Sequence, residues 1–183
     1  MNMIKKVTTF SNAAEYHPYD TNLSAVFEQI KNIIQQTLPG IQVEHVGSSS
    51  IPGVGGRNVI DIAIPTIDLD QTSIKDQLKA LGFQDAPFRH FLPILIGSVS
   101  HQSKEYAILL YVLSLDLDVY KDWIIFRDFM RTHPDDAHAY DQVKQETIAA
   151  GKINGANYQQ AKTPFLVSTM KKIKMSVAVQ GDS

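Results

Sequence analysis

From Leu23 the apolar residues Leu23, Val26, Phe27, Ile30, Ile33 and Ile34 recur at helical spacing. This predicts an amphipathic helix with one buried stripe. Asp20 or Thr21 can cap it, and Leu38-Pro39-Gly40 ends it. Residues 41–46, "IQVEHV", alternate apolar and polar and predict a strand with one buried face. "GSSSIPGVGGRN" (47–58) is a loop by composition, and "VIDIAIP" (59–65) is a short β-branched strand. Period-2 geometry puts Val59, Asp61 and Ala63 on one face of that strand and Ile60, Ile62 and Ile64 on the other. Ile74, Leu78 and Leu81 mark a short helix that Gly82 stops.

"FRHFLPILIGS" (88–98) predicts extended chain interrupted at Pro93, and "EYAILLYVLSL" (105–115) a well-buried strand. The character then changes to helical. Trp123, Phe126, Phe129 and Met130 give one stripe, which reads as core. "HPDDAHAYDQVKQETIAAG" opens with Pro134 at a helix start, followed by acids that suit the helix dipole. "NYQQAKTPFLVSTMKKIKM" (157–175) is a last helix that Pro164 either kinks or restarts with Thr163 as cap. "SVAVQGDS" reads as a frayed tail. The order predicts an α/β (α+β) protein with a small mixed sheet and a C-terminal helical cap. We expect one domain over 1–183, with a core of about 16–115, helices over about 119–175 and a tail at 176–183.

Composition narrows the function classes. The 183 residues are 44% hydrophobic and 20% charged, ordinary for a soluble domain. A formal net charge of −2 provides no global basic field, so nucleic acid is not an expected partner. With no cysteine, thiolate metal sites and thiol nucleophiles are excluded. No apolar run reaches the roughly 18 residues of a membrane helix, so no membrane partner is expected and a cytoplasmic location is. The pattern gives no oligomeric state.

The candidate chemistry lies in "HVGSSSIPGVGGRNVIDIAI" (45–64). Backbone N–H groups of a tight Gly/Ser turn can converge on phosphate oxygens, with Gly47 allowing close approach and the hydroxyls of Ser48, Ser49 and Ser50 adding donors. No Walker "GK[ST]" occurs, and "GVGGRN" leads into a strand rather than a helix, unlike a dinucleotide fingerprint. A Gly/Ser turn that merely joins two strands is the plain alternative. His45 is a base or ligand, or else a structural histidine beside a loop. Glu44 faces either the cleft of Asp61 or a salt bridge to Arg57 or a helical arginine. Asp68/Asp70 and Asp116/Asp118 are two further D-x-D pairs, explained by helix capping or a solvated turn as well as by metal.

A strand, a "GS" turn, a spacer and a strand bearing an acid resemble the core of the nucleotidyltransferase superfamily. Within it, "VEHVGSSSIPGVGGRNVIDIAI" resembles the GrpB (UPF0157) family pattern, near "EHIGSTSVPGLAAKPIIDI". "FRDFMRTHPDDAHAYDQVK" and "YQQAKTPFL" are similar to that family's downstream segments, so the likeness spans about residues 16–172. Glu44, His45, Gly47, Ser48, Ser50, Pro52, Gly53, Asp61, Arg127, Asp128, Lys144, Tyr158 and Lys162 match it, and Arg57 stands where lysine is common. The family's "HLHV" is here "LLYV" (109–112); Ala63 stands at the superfamily's second strand-acid position, where the GrpB family also commonly lacks an acid.

The resemblance implies a nucleotidyltransferase-like fold that binds a nucleotide or other phosphorylated small molecule. Gly47, Ser48, Ser49, Ser50, Arg57, Arg127, Lys162 and His45 would hold the phosphates. Asp61 and Glu44 would be the catalytic and metal-binding carboxylates, with Mg²⁺ as cofactor, if nucleotidyl transfer occurs. The alternative is a non-catalytic member that binds a ligand or a protein with an incomplete carboxylate set, or one in which Asp61 merely satisfies loop N–H groups. Whether the chain is an enzyme stays open at this point.

Overall fold

We describe a computed structural model over residues 3–7, 15–67, 71–87, 92–151 and 154–181. Helix α1 (Leu23–Thr37) buries Leu23, Val26, Phe27, Ile30 and Ile34, the stripe expected from spacing. Asp20 precedes it rather than capping it: its Oδ1 accepts from the backbone N–H of Asn22 at 2.9 Å, and Asn22 is the N-cap residue. Strands β1 (Glu44–Val46) and β2 (Val59–Thr66) follow, joined by a 3₁₀ turn at Ser48–Ser50. Then come α2 (Gln71–Ala80), β3 (Gln84–Asp85), β4 (Ile94–His101) and β5 (Lys104–Ser114). The chain ends in α3 (Asp118–Thr132), α4 (Pro134–Ala149) and α5 (Gly155–Gly181).

The sheet is mixed, in the order β1-β2-β5-β4-β3. Only β2 and β5 run parallel; the other pairs are antiparallel. These two central strands are the most continuous apolar runs, as strands covered on both faces must be. The β4–β5 hairpin closes on Gln102 and Ser103, both at positive φ (47° and 65°), as a tight two-residue hairpin turn requires.

The alternation read from "VIDIAIP" holds. Ile60, Ile62 and Ile64 enter the core under α1 and α2. Val59 and Ala63 lie on the opposite face with Val46, Leu109, Tyr111, Tyr120 and Trp123 of the α3 side. A third cluster joins the 47–58 loop to the C-terminal helices through Ile51, Val54, Met130, Ala137 and Tyr140, with Phe126, Phe129, Phe165 and Leu166 against them. Burying such side chains contributes about 1.5–3 kcal/mol each, so apolar packing docks the helical cap on the loop.

Three expectations change. The first strand is shorter than 41–46, starting at Glu44. Of the two alternatives for Pro164, kink or restart, the restart is excluded. The proline lies inside α5, and Thr163 is no cap: its hydroxyl donates back to the Gln159 carbonyl at 3.0 Å. Residues 176–181, expected as frayed tail, continue α5. Asp68 and Asp70 lie outside the described residues, as do 88–91 of the predicted extended stretch. Among the described residues no helix is long and apolar enough to cross a membrane.

Candidate functional site

The carboxyl end of β1, the 3₁₀ turn and the start of β2 form the floor of a cavity of about 240 Å³; α3, α4 and α5 roof it. Gly47 makes the turn, with φ 69° and ψ −174°, a backbone region essentially restricted to glycine. It also lets the chain pass directly over Asp61, where a Cβ would collide with Oδ2. Ser48 lines the cavity beside Asp61. Asp61 is deep in the protein but keeps part of its surface open to the cavity. Its carboxyl accepts no hydrogen bond from the described residues, so it is not the loop-capping acid of the plain structural reading.

Three cations surround that acid. Arg57 comes from the loop, Lys144 from α4 and Lys162 from α5. Burial raises the Asp61 carboxyl to about 6, against the pull of Arg57, Lys162 and Lys144. Burial, then Lys162, lowers the Lys144 ammonium to about 7. Burial, then Arg57, lowers Lys162 to about 8. Lys162 is 7% exposed, and its Nζ lies 4.1 Å from the Tyr158 ring centroid; the Arg57 guanidinium carbon lies 5.8 Å from the same ring. Neither Arg57 nor Lys162 donates a hydrogen bond or forms an ion pair among the described residues. Their N–H donors are open to the cavity.

Lys144 is committed elsewhere. Its Nζ donates to the Gly55 carbonyl, while Asp141, one turn earlier on α4, accepts from the Gly55 N–H at 2.8 Å. Asp141 also accepts from the Tyr16 hydroxyl at 2.9 Å, and His17 exchanges backbone hydrogen bonds with Gly56 at 2.7 and 2.8 Å. The peptide two residues before Arg57 is thus gripped from both sides. The other walls are largely aromatic and apolar, Trp123, Phe126, Tyr140, Tyr158, Leu166 and Met170, with Asp122, Arg127 and Gln159 as their polar members.

The GrpB family model matches residues 14–172. The chain belongs to the GrpB family. It is 25% identical over 149 residues to a UPF0157 protein of Deinococcus radiodurans, covering 81% of this chain and 76% of that one. A UPF0157 protein of Halalkalibacterium halodurans is 27% identical over 157 residues, covering 84% and 79%. A Pseudomonas aeruginosa UPF0157 protein is 31% identical over 113 residues, 58% of this chain but only 45% of the longer relative. Among solved structures, GrpB of Enterococcus faecalis superposes with a TM-score of 0.69 at 17% identity, over 89% of this chain and 99% of that one. A chain of the GLD-2/RNP-8 complex superposes at 0.54 and 12% identity, over 81% and 59%. At such identities these likenesses establish the nucleotidyltransferase-like fold.

On this GrpB fold, some sequence-predicted site residues converge and others do not. Gly47, Ser48, Arg57, Asp61, Arg127 and Lys162 reach the cavity. His45 does not. It pairs in register with Ile62, on the opposite face from Asp61, where it stacks on Phe27 at 4.7 Å and meets the Ser49 hydroxyl at 3.0 Å. Burial, then Arg131 and Arg127, pushes its pKa down to about 3, so it is a neutral core histidine. Ser49 is occupied by that contact, and Ser50 Oγ donates back to the Gly47 carbonyl at 2.6 Å. Of the three serines, Ser48 alone reaches the cavity. The turn rotates the next two inward.

Glu44 pairs in register with Ala63, on the Asp61 face. Its carboxylate, however, accepts from Arg127 at 2.7 Å, the helical arginine foreseen as the alternative partner. Arg127 is also held by Asp128 at 2.7 Å and donates to the His45 carbonyl at 3.1 Å. It lines the cavity with its Nε and Nη1 donors engaged and its charge countered by two carboxylates. Leu109 and Tyr111, where the family pattern carries histidines, pair with Asp61 and Ala63 in the parallel register, on the same face.

This donor set does not fit a two-ion Mg²⁺ site. Among the described residues no three histidine, aspartate or glutamate side chains gather. Asp61 sits among positive charges rather than beside a second carboxylate. Asp116 is exposed in the turn before α3 and Asp118 in its first turn, as the solvated-turn reading has it; Leu117 and neither acid is the N-cap. Trp123 and Phe126, read as core, expose an edge to the cavity; Phe129 stacks on His133. Asp141 escaped notice in the sequence. Its signal was a stripe on α4, Ala137, Tyr140, Asp141, Lys144 and Thr147, at helical spacing but with buried polar members.

Proposed function

We propose that this GrpB protein binds a phosphorylated small molecule, a nucleotide among the candidates, in the cavity between the Gly47–Ser50 turn and the C-terminal helices. The observation that carries the reading is the pair of unpaired cationic groups, Arg57 and Lys162, converging with Ser48 on one partly apolar cavity. A planar guanidinium and a point-charge ammonium suit phosphoryl oxygens, and a low-dielectric wall strengthens both. Trp123, Phe126 and Tyr158 would hold the rest of the ligand. The chain would work as a cytoplasmic protein, as its cysteine-free composition suggests.

Nucleotidyl transfer is the second reading, favoured by the fold and by Asp61 on the strand that follows the turn. The engagement of Glu44 by Arg127 and the presence of Ala63 favour the binder. Calorimetry against a panel of nucleotides and sugar phosphates tests the proposal. Wild type binds at least one, and Ser48→Tyr, which fills the floor, does not. No binding to wild type, or unchanged binding in Ser48→Tyr, rejects it.

A further inference from the structure

We infer that the cavity takes a phosphate monoester carrying an aromatic or aliphatic group and holds it without a divalent cation, an inference that rests on the phosphorylated-ligand reading. The first argument is charge. Two unpaired cations, Arg57 and Lys162, face the cavity, with Lys144 just behind them on the Gly55 carbonyl. One carboxylate, Asp61, opposes them on the floor. A phosphomonoester carries about −1.5 to −2 at neutral pH, which two cations match. A triphosphate brings more charge than they can neutralise. Arg127, the next cation on the wall, already has its charge countered by Glu44 and Asp128.

The second argument is what a divalent ion would meet. Mg²⁺ takes an octahedron of oxygens, usually with one or two carboxylates among them. The floor offers Asp61 alone. Its neighbours on that face of the sheet are Val46, Ala63, Leu109 and Tyr111, and Glu44, opposite Ala63, is paired with Arg127. The other carboxylate lining the cavity, Asp122 on α3, is paired with Lys174 of α5 at 3.1 Å. An ion at Asp61 would stand within the repulsive field of Arg57, Lys144 and Lys162. The cations occupy the electrostatic role that a metal would otherwise fill.

The third argument is size and lining. About 240 Å³ lies near the lower limit of small-molecule sites, roughly 300–1,000 Å³. Ser48, Arg57 and Lys162 supply anion donors, and Trp123, Phe126, Leu166 and Met170 supply apolar wall, with Asp122, Arg127 and Gln159 as further polar lining. A ligand with one anionic end and one compact apolar body fits this lining; an extended polyphosphate does not.

Titration calorimetry on the full chain tests the inference with phenyl phosphate, AMP and ATP, each in EDTA and in excess Mg²⁺. Phenyl phosphate or AMP should bind in EDTA, with an affinity that Mg²⁺ leaves within about twofold, and more tightly than ATP in either buffer. A preference for AMP identifies a nucleoside, equal binding a simpler aryl ester. Lys162→Met should weaken the complex by roughly tenfold or more. Asp61→Asn, which removes a like charge from the floor, should tighten it. Binding that appears only with Mg²⁺, a preference for MgATP, or loss of binding in Asp61→Asn would overturn the metal-free inference and leave the phosphorylated-ligand reading standing. No binding of any probe in either buffer would overturn both.

Discussion

Gly47 lies directly over Asp61, so close that a methyl group at position 47 would fall on the Asp61 Oδ2 atom. The glycine at the turn and the acid on the strand are therefore a single steric unit. Gly47→Ala adds both a collision and a backbone conformation costing about 1–3 kcal/mol for a non-glycine residue. Urea unfolding should show at least that loss. A variant as stable as wild type would mean the turn relaxes freely.

Asp61 sets a pH dependence. Its carboxyl titrates at 3.8 when unstrained and about 6 when folded, so the folded state holds the proton more tightly. The charged form costs stability; the cost grows as pH rises from about 4 to 6 and is complete above it. Asp61→Asn removes it and should raise unfolding free energy by up to about 3 kcal/mol at pH 7.5, with the gain vanishing near pH 4. Denaturant titrations at both values check the sign.

Lys144 works in the opposite direction along the pH scale. Its ammonium is lowered from 10.5 to about 7, so below pH 7 the folded state carries the whole cost of burying the charge. That cost is relieved as pH rises from 7 towards 10.5, where the unfolded chain binds more protons than the folded one. Wild type should therefore gain stability between pH 7 and 9, and Lys144→Met should flatten that rise. Parallel slopes for the two proteins would refute the assignment.

Glu44 and Arg127 make a half-buried pair, with side chains 25% and 11% exposed. Glu44→Gln removes one of the two carboxylates on the arginine, leaving Asp128, and should cost about 1 kcal/mol in thermal unfolding. Phosphomonoester affinity should stay within about twofold, because Glu44 does not line the cavity. A tenfold loss of affinity would return Glu44 to the site.

The central architecture was legible because β2 is long enough for its alternation to be counted. Ile60, Ile62 and Ile64 sort cleanly from Val59, Asp61 and Ala63. The same rule, applied to the three residues of β1, puts Glu44 and Val46 on one face and His45 on the other. That geometry selects the structural alternative for the histidine over the base or ligand. Ser49 and Ser50 were beyond reach of composition, since a 3₁₀ turn gives no periodicity over three residues. Lys162 could be singled out only through motif resemblance. No local pattern relates it to Asp61, about a hundred residues earlier in the chain. The end of α5 was missed because "SVAVQG" carries no helical signal beyond continuity with the stripe before it, and a short terminal segment reads as frayed.

The grip of Asp141 and Lys144 on the Gly55 peptide has a consequence for how the protein comes into being. The turn and Asp61 are synthesised in the first third of the chain, but the α4 residues that fix the loop and the α5 lysine that completes the cationic wall emerge much later. A nascent chain ending at β5 would own the acid and the turn without the means to hold an anion. On the phosphorylated-ligand reading, binding would then require α4 and α5 to have closed over the sheet, so occupancy would report the docking of the helical cap.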